Sequence, residues 1–170
     1  TRINEPGVYR GQCAELCGKD HGFMPVVVKA LPEDEFANWL ADAKQEKANA
    51  AAADAALLDQ TLPKEELMTL GEQVYMASCA ACHQPTGMGL PGVFPALKGS
   101  PIVLGDVKDH IDIVLHGKPG TAMQAFDKQL SIKQLAAVIT YKRNAWGNDT
   151  GDVIQPSQIQ AAIDAAAEAN

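Results

Sequence analysis

At 170 residues, with 46% hydrophobic and 21% charged residues, the chain can hold one ordinary domain or two small ones and is apolar enough to fold. Its formal charge of −7 is uneven: residues 1–60 carry 6 basic and 10 acidic groups, 61–150 carry 8 and 8, and 151–170 carry only 3 acidic ones. That pattern lacks the basic footprint of a nucleic-acid binder, and no run of about 18 apolar residues marks a membrane-spanning helix. Thr1 opens a charged segment rather than a signal peptide, so any anchor or export signal is expected to lie outside this sequence.

In chain order, GQCAELCGKDHGFM (11–24) gathers two cysteines, a glutamate, a histidine and a methionine. MPVVVKAL (24–31) is apolar and β-branched and predicts a buried strand. PEDEFANWLADAKQ (32–45) has acids at its front and Phe36, Trp39 and Leu40 at helical spacing, which predicts a short amphipathic helix. Residues 41–60 are alanine-rich with few large side chains, and read as a linker, helical or frayed, with little core of its own.

A second unit is predicted from Pro63, where PKEELMTLGEQVYMASCAACH (63–83) puts proline and acids in the first turn of a helix. QPTGMGLPGVFPALKGSP (84–101) is dense in glycine and proline and reads as an irregular loop. DVKDHIDIVLHG (106–117) reads as a short helix capped by Asp106 and stopped at Gly117. LSIKQLAAVITYKRNAW (130–146) opens with a Ser131/Gln134 capping box and sets Leu135, Val138, Ile139 and Trp146 on one apolar face. Beyond Gly147, only QIQAAIDAAAEA (158–169) suggests a helix, expected as a solvated extension.

The four cysteines form two pairs, Cys13 with Cys17 and Cys79 with Cys82. Two disulfides are the default for bare cysteine counts in an exported chain, but a histidine stands beside or near each pair, which disulfides do not require. Cys79-Ala-Ala-Cys82-His83 is C-x-x-C-H, the spacing for covalent attachment of c-type haem. Cysteines three apart share one helical face within about 5.4 Å of rise, so both can form thioethers with the two vinyl groups of one porphyrin. His83 is then delivered to the iron. A thioredoxin-like pair or half a zinc site would also show C-x-x-C, without needing the adjacent histidine.

A sixth iron ligand must come from chain that has travelled around the ring. Met88 is too close to His83 to do so, while Met68 and Met76 stand on the preceding helix as packing residues. Met123, in KPGTAMQAF between two helices, is the candidate. His116 is its competitor, more simply read as a helix cap, and His110 reads as a surface residue.

From Leu62 to Asn148 the chain resembles a class I cytochrome c. The resemblance implies a close crossing of first and last helices at Gly71, Tyr75 and Tyr141, and implies that the carbonyl of Pro95 in GVFPALKG accepts a hydrogen bond from the proximal imidazole, orienting His83.

At the other end, Cys13-Ala-Glu15-Leu-Cys17-Gly-Lys-Asp-His21-Gly-Phe-Met24 combines thiolate, imidazole and thioether donors, which favour copper, with zinc open on ligand type alone. Order and spacing, with the preceding GVYRGQ, resemble the binuclear CuA centre of cytochrome c oxidase subunit II. The resemblance implies that Cys13 and Cys17 bridge both coppers, that His21 and Met24 are terminal ligands and that Glu15 gives its backbone carbonyl. That site also takes a histidine from an earlier strand, and no histidine precedes His21, so the copper site is expected to be incomplete within this sequence. Without metal, Cys13 and Cys17 could form a disulfide.

The expected fold is mainly α: the last loop, strand and helix of a truncated cupredoxin-like CuA domain (1–40), an alanine-rich linker (41–61), a cytochrome c domain (62–148) and a tail (149–170). A cytochrome c behind a CuA domain resembles subunit II of the caa-type haem-copper oxidases. That implies haem c and copper, electron flow from a donor cytochrome or quinol-cytochrome c reductase to oxidase catalytic subunit I, a membrane anchor upstream, and a place on the periplasmic face of the bacterial cytoplasmic membrane. A CuA-containing nitric oxide reductase and a free electron-carrier cytochrome are the alternatives. Nitrous oxide reductase ranks lower, because its loop typically lacks the glutamate and carries histidine where Gly18 stands.

Overall fold

A computed structural model describes residues 3–14 and 25–168, which divide into compact units at 1–49 and 50–170. In the first, strands β1 (Gly7–Gln12) and β2 (Pro25–Ala30) pair antiparallel, with Gly7 opposite Ala30 and Gln12 opposite Pro25. Val8 and Tyr9 in β1 and the valine run in β2 suit a pleated ribbon, and the Tyr9 hydroxyl donates to the Glu5 carbonyl at 2.7 Å. The expectation of a buried strand is corrected: Val26, Val27 and Val28 are 52%, 47% and 44% exposed. No second layer covers the ribbon among the described residues, so both faces of its pleat stay open.

Helix α1 (Glu33–Ala55) begins with Glu33, Asp34 and Glu35, whose charges suit the positive end of the helix. It is longer than the short helix predicted, because the alanine-rich stretch, built from strong helix formers, continues it. It buries none of its residues; Phe36 and Trp39 touch one another with ring centres 5.6 Å apart.

The second unit is helical. Its frame is α2 (Lys64–Ser78) packed on α6 (Ile132–Asn144), which bury Leu67, Val74 and Tyr75 against Leu135, Val138 and Ile139. Burial of each large aliphatic side chain contributes about 1.5–3 kcal/mol relative to leaving it exposed. Around that frame run α3 (Ala80–His83), α4 (Pro101–Leu104), α5 (Val107–His116) and α7 (Pro156–Glu168). The Asp106 side chain caps α5 by accepting from Lys108 N at 2.8 Å, and both halves of the Ser131/Gln134 capping box are made at α6. The α4 turn lies at the end of the stretch expected to be irregular, and α6 stops two residues short of Trp146, which adopts φ 58° beyond it.

The tail also departs from expectation. Ile154 and Ile159 are 2% and 0% exposed, and α7 lies against α5 and α6. Gln155 is clasped to Leu62, accepting from its N at 2.8 Å and donating to its O at 3.2 Å. Buried Ile154 and Ile159, with Val153, Ala162 and Ile163 packed against the same cluster, tie the tail into the core rather than leaving it a solvated extension.

Candidate functional site

The turn through the second cysteine pair is helical: the Cys79 carbonyl accepts from Cys82 N at 3.2 Å and from His83 N at 3.0 Å. Cys79, Cys82 and His83 are thereby brought to one side of the chain at i, i+3 and i+4. Cys79 and Cys82 are both thiols, not joined to each other. Gln84 then turns the chain sharply with φ 61°, a costly conformation for a side-chain-bearing residue, and the Tyr75 hydroxyl holds its carbonyl at 2.6 Å.

The chain returns over His83 through Gly89, whose N donates to the His83 carbonyl at 2.9 Å. A side chain at Gly89 would collide with the carbonyls of Phe94 and Pro95, so glycine lets the Pro95 segment come close. The Pro95 carbonyl consequently lies 2.9 Å from His83 Nδ1. That bond has the geometry that orients a ligating imidazole, leaving Nε2 for a metal. Burial lowers the His83 pKa, the Pro95 bond works against this, and the Lys142 charge adds to the lowering, so the imidazole is neutral and able to ligate. Burial likewise raises the Cys79 thiol.

Cys79, Cys82, His83 and Pro95 line one wall of a cavity of ≈ 360 Å³, within the range of cofactor pockets. Met123 lines it from the loop between α5 and α6. That loop is fixed by Lys118 N donating to the Met123 carbonyl at 2.9 Å and by Gly117 at φ 72°, where a side chain would strike the same carbonyl. Met88 is 54% exposed and Met76 49% exposed, while Met68 packs against the core. His116 pairs with Asp112 at 2.8 Å on the outer side of α5 and does not line the cavity.

Phe94, Leu97, Val103, Ile113, Val114 and Phe126 supply apolar walls, which suit a flat macrocycle. Two thiols, an imidazole and a thioether around one apolar cavity form the donor set that covalent haem requires, so these residues fit the group. Bound there, haem c would supply one-electron exchange at its iron.

His110 corrects the surface assignment: it is 1% exposed, lines the same cavity, and its Nδ1 has no hydrogen-bond partner. Burial, then the Lys142 and Arg143 cations, depress its pKa to about 2. Lys142 also lines the cavity and is 4% exposed, with burial lowering its pKa to about 8, so it stays mainly an ammonium at neutral pH. Both were legible in principle. His110 stands three residues after Val107 and four before Val114, and Lys142 three after Ile139, so each interrupts an apolar helical stripe.

Of the expected copper ligands, Glu15, Cys17, His21 and Met24 lie outside the described residues. Cys13 is half-buried at the end of β1. Among the described residues no cluster of three histidine, cysteine or acidic side chains could hold a metal ion, and no helix is long and apolar enough to cross a membrane.

Comparison with known proteins divides the chain in the same sense. Residues 66–141 match the family "Cytochrome C oxidase, cbb3-type, subunit III", and residues 1–31 match "Cytochrome C oxidase subunit II, periplasmic domain". A probable cytochrome c oxidase subunit 2 of Rickettsia bellii is 47% identical over 49 residues, covering 29% of this chain and 18% of that protein. Cytochrome c oxidase subunit 2 of Drosophila subobscura is 48% identical over 40 residues, 24% of this chain and 18% of that protein. The cytochrome c subunit of a quinone-type alcohol dehydrogenase of Gluconobacter oxydans is 32% identical over 100 residues, 53% of this chain and 21% of that protein. The chain thus spans about a fifth of the length of these curated relatives.

Proposed function

We propose that this chain, in which a cytochrome c domain follows the end of a cytochrome c oxidase subunit II periplasmic domain as in caa-type subunit II, is the electron-entry module of a haem-copper oxidase. Electrons arrive from a donor cytochrome or quinol-cytochrome c reductase, pass by way of covalent haem c to CuA copper, and leave for catalytic subunit I, where oxygen is reduced. This chain's part is electron transfer, not the oxygen chemistry. The periplasmic side of the membrane is its place.

The observation that carries the reading is the convergence of the Cys79–His83 turn, the Pro95 carbonyl and Met123 on one apolar cavity. Cys79 and Cys82 would hold the group covalently, His83 and Met123 would ligate its iron, and Pro95 would orient His83. The apolar walls exclude water, which keeps the surroundings from reorganising as charge changes. Cys13, Glu15, Cys17, His21 and Met24 would supply copper ligands. The match of residues 1–31 favours an oxidase subunit over a free carrier, and a nitric oxide reductase would differ in its partner subunit.

Haem and copper quantification on the matured protein, with an absorption spectrum, tests this. One covalent haem per chain supports the reading. A colourless protein, or one with Cys79 bonded to Cys82, rejects it.

A further inference from the structure

On α6, three consecutive side chains go to three destinations. Tyr141 packs against α2 with its ring centre 5.7 Å from that of Tyr75. The Arg143 guanidinium is matched, with Nε 2.8 Å from Asp152 Oδ2 and Nη1 2.6 Å from the Val103 carbonyl. Between them Lys142 lines the cavity of Cys79, Cys82 and His83, and no ion pair to it occurs among the described residues.

Among the described residues, the ionisable groups lining that cavity are Cys79, Cys82, His83, His110, Lys118 and Lys142, and no carboxylate lines it. Cys79 and Cys82 become neutral thioethers when haem is attached, and His110 stays neutral. Lys118 is exposed at the rim, where solvent and salt screen its charge. Lys142 is therefore the one buried cation of the wall, with no protein carboxylate lining the cavity beside it, among the described residues. A desolvated ammonium is costly unless charge of opposite sign is brought to it.

The geometry points to Lys142 as an electrostatic tuning residue that raises the reduction potential of haem held in this cavity. The inference rests on the proposed haem attachment. When one electron arrives from the protein donor, the iron is reduced, the net charge of the group falls by one, and no bond forms or breaks at Lys142. A fixed cation in a poorly screening wall favours the state of lower positive charge, and does so far more than the same cation in water.

The test compares the full chain with Lys142→Met, Lys142→Arg and Lys118→Met, each first assayed for covalent haem by mass and then titrated for reduction at equilibrium. Lys142→Met is expected to keep its haem while its reduced-to-oxidised ratio at fixed potential falls about tenfold, a downward shift of about 59 mV for a one-electron couple. Lys142→Arg should stay near the parent, and Lys118→Met should move much less than Lys142→Met. A Lys142→Met potential equal to or above the parent's overturns the inference, as does an equal shift in Lys142→Arg, which would indicate packing rather than charge. Should Lys142→Met lose haem, Lys142→Gln carries the same comparison. A parent chain without covalent haem brings down the proposed function itself.

Discussion

A methyl group placed on Gly71 would overlap the main-chain carbonyl of Ala137 and come within 2.6 Å of Tyr141 Cβ. Helices α2 and α6 therefore touch backbone to backbone, and the obstacle is a peptide group rather than a flexible side chain. Gly71→Ala should destabilise the second unit by about 3 kcal/mol or more, at or beyond the upper end for overpacking. Urea denaturation followed by circular dichroism measures this; a loss under about 1 kcal/mol would show that the helices can part without cost.

Substitutions at Met123 and Met88 distinguish the proposed iron ligand from a bystander. Met123→Ala should retain covalent haem but lose the methionine-to-iron absorption at the red end of the spectrum. Met88→Ala, altering a side chain 54% exposed, should leave that band unchanged. The opposite pattern would reassign the ligand.

Asp152 gives the stability a defined pH dependence. Its partial burial alone would raise its pKa, but hydrogen bonds from Arg143 and Thr150 and the Arg143 charge outweigh this and hold it below its usual value. A depressed folded pKa contributes stability that is complete above the unfolded carboxylate range near 3.9 and is lost as pH falls through the folded value. Asp152→Asn should cost about 1–3 kcal/mol at pH 7, where it leaves a buried guanidinium underpaired, and the difference from the parent should shrink below pH 4. Melting curves across that range would refute the pairing if the gap stayed constant.

Ile159, fully buried on α7, makes the tail a structural element. Ile159→Ala should remove about 2–4 kcal/mol and loosen the Leu62–Gln155 clasp. Hydrogen exchange at the start of α2 would report it; unchanged protection there would return the tail to the status of an appendage.

The segment 61–150 carries equal numbers of acidic and basic groups, so long-range steering of a charged donor should be weak. Its reduction rate by a soluble cytochrome should fall by less than about threefold between low and moderate salt in stopped-flow measurements. A steep fall would place an ordered charge patch at the docking face.

The sequence by itself determined whatever depends on neighbours along the chain. The C-x-x-C-H spacing, the Asp106 cap, the Ser131/Gln134 box and the Gly117 stop act within one or two helical turns, and each has its expected geometry. Resemblance points to Pro95 and elimination to Met123, and both line the same cavity as His83, 12 and 40 residues away along the chain. Tertiary structure alone decided burial. His110 reads from the sequence as a surface residue, yet it and Lys142 each lie on the inward stripe of a helix, where neighbouring apolar residues set the helix rotation regardless of one polar member. The valines of β2 show the reverse, an apolar run left exposed because burial requires a covering layer, which local sequence cannot specify.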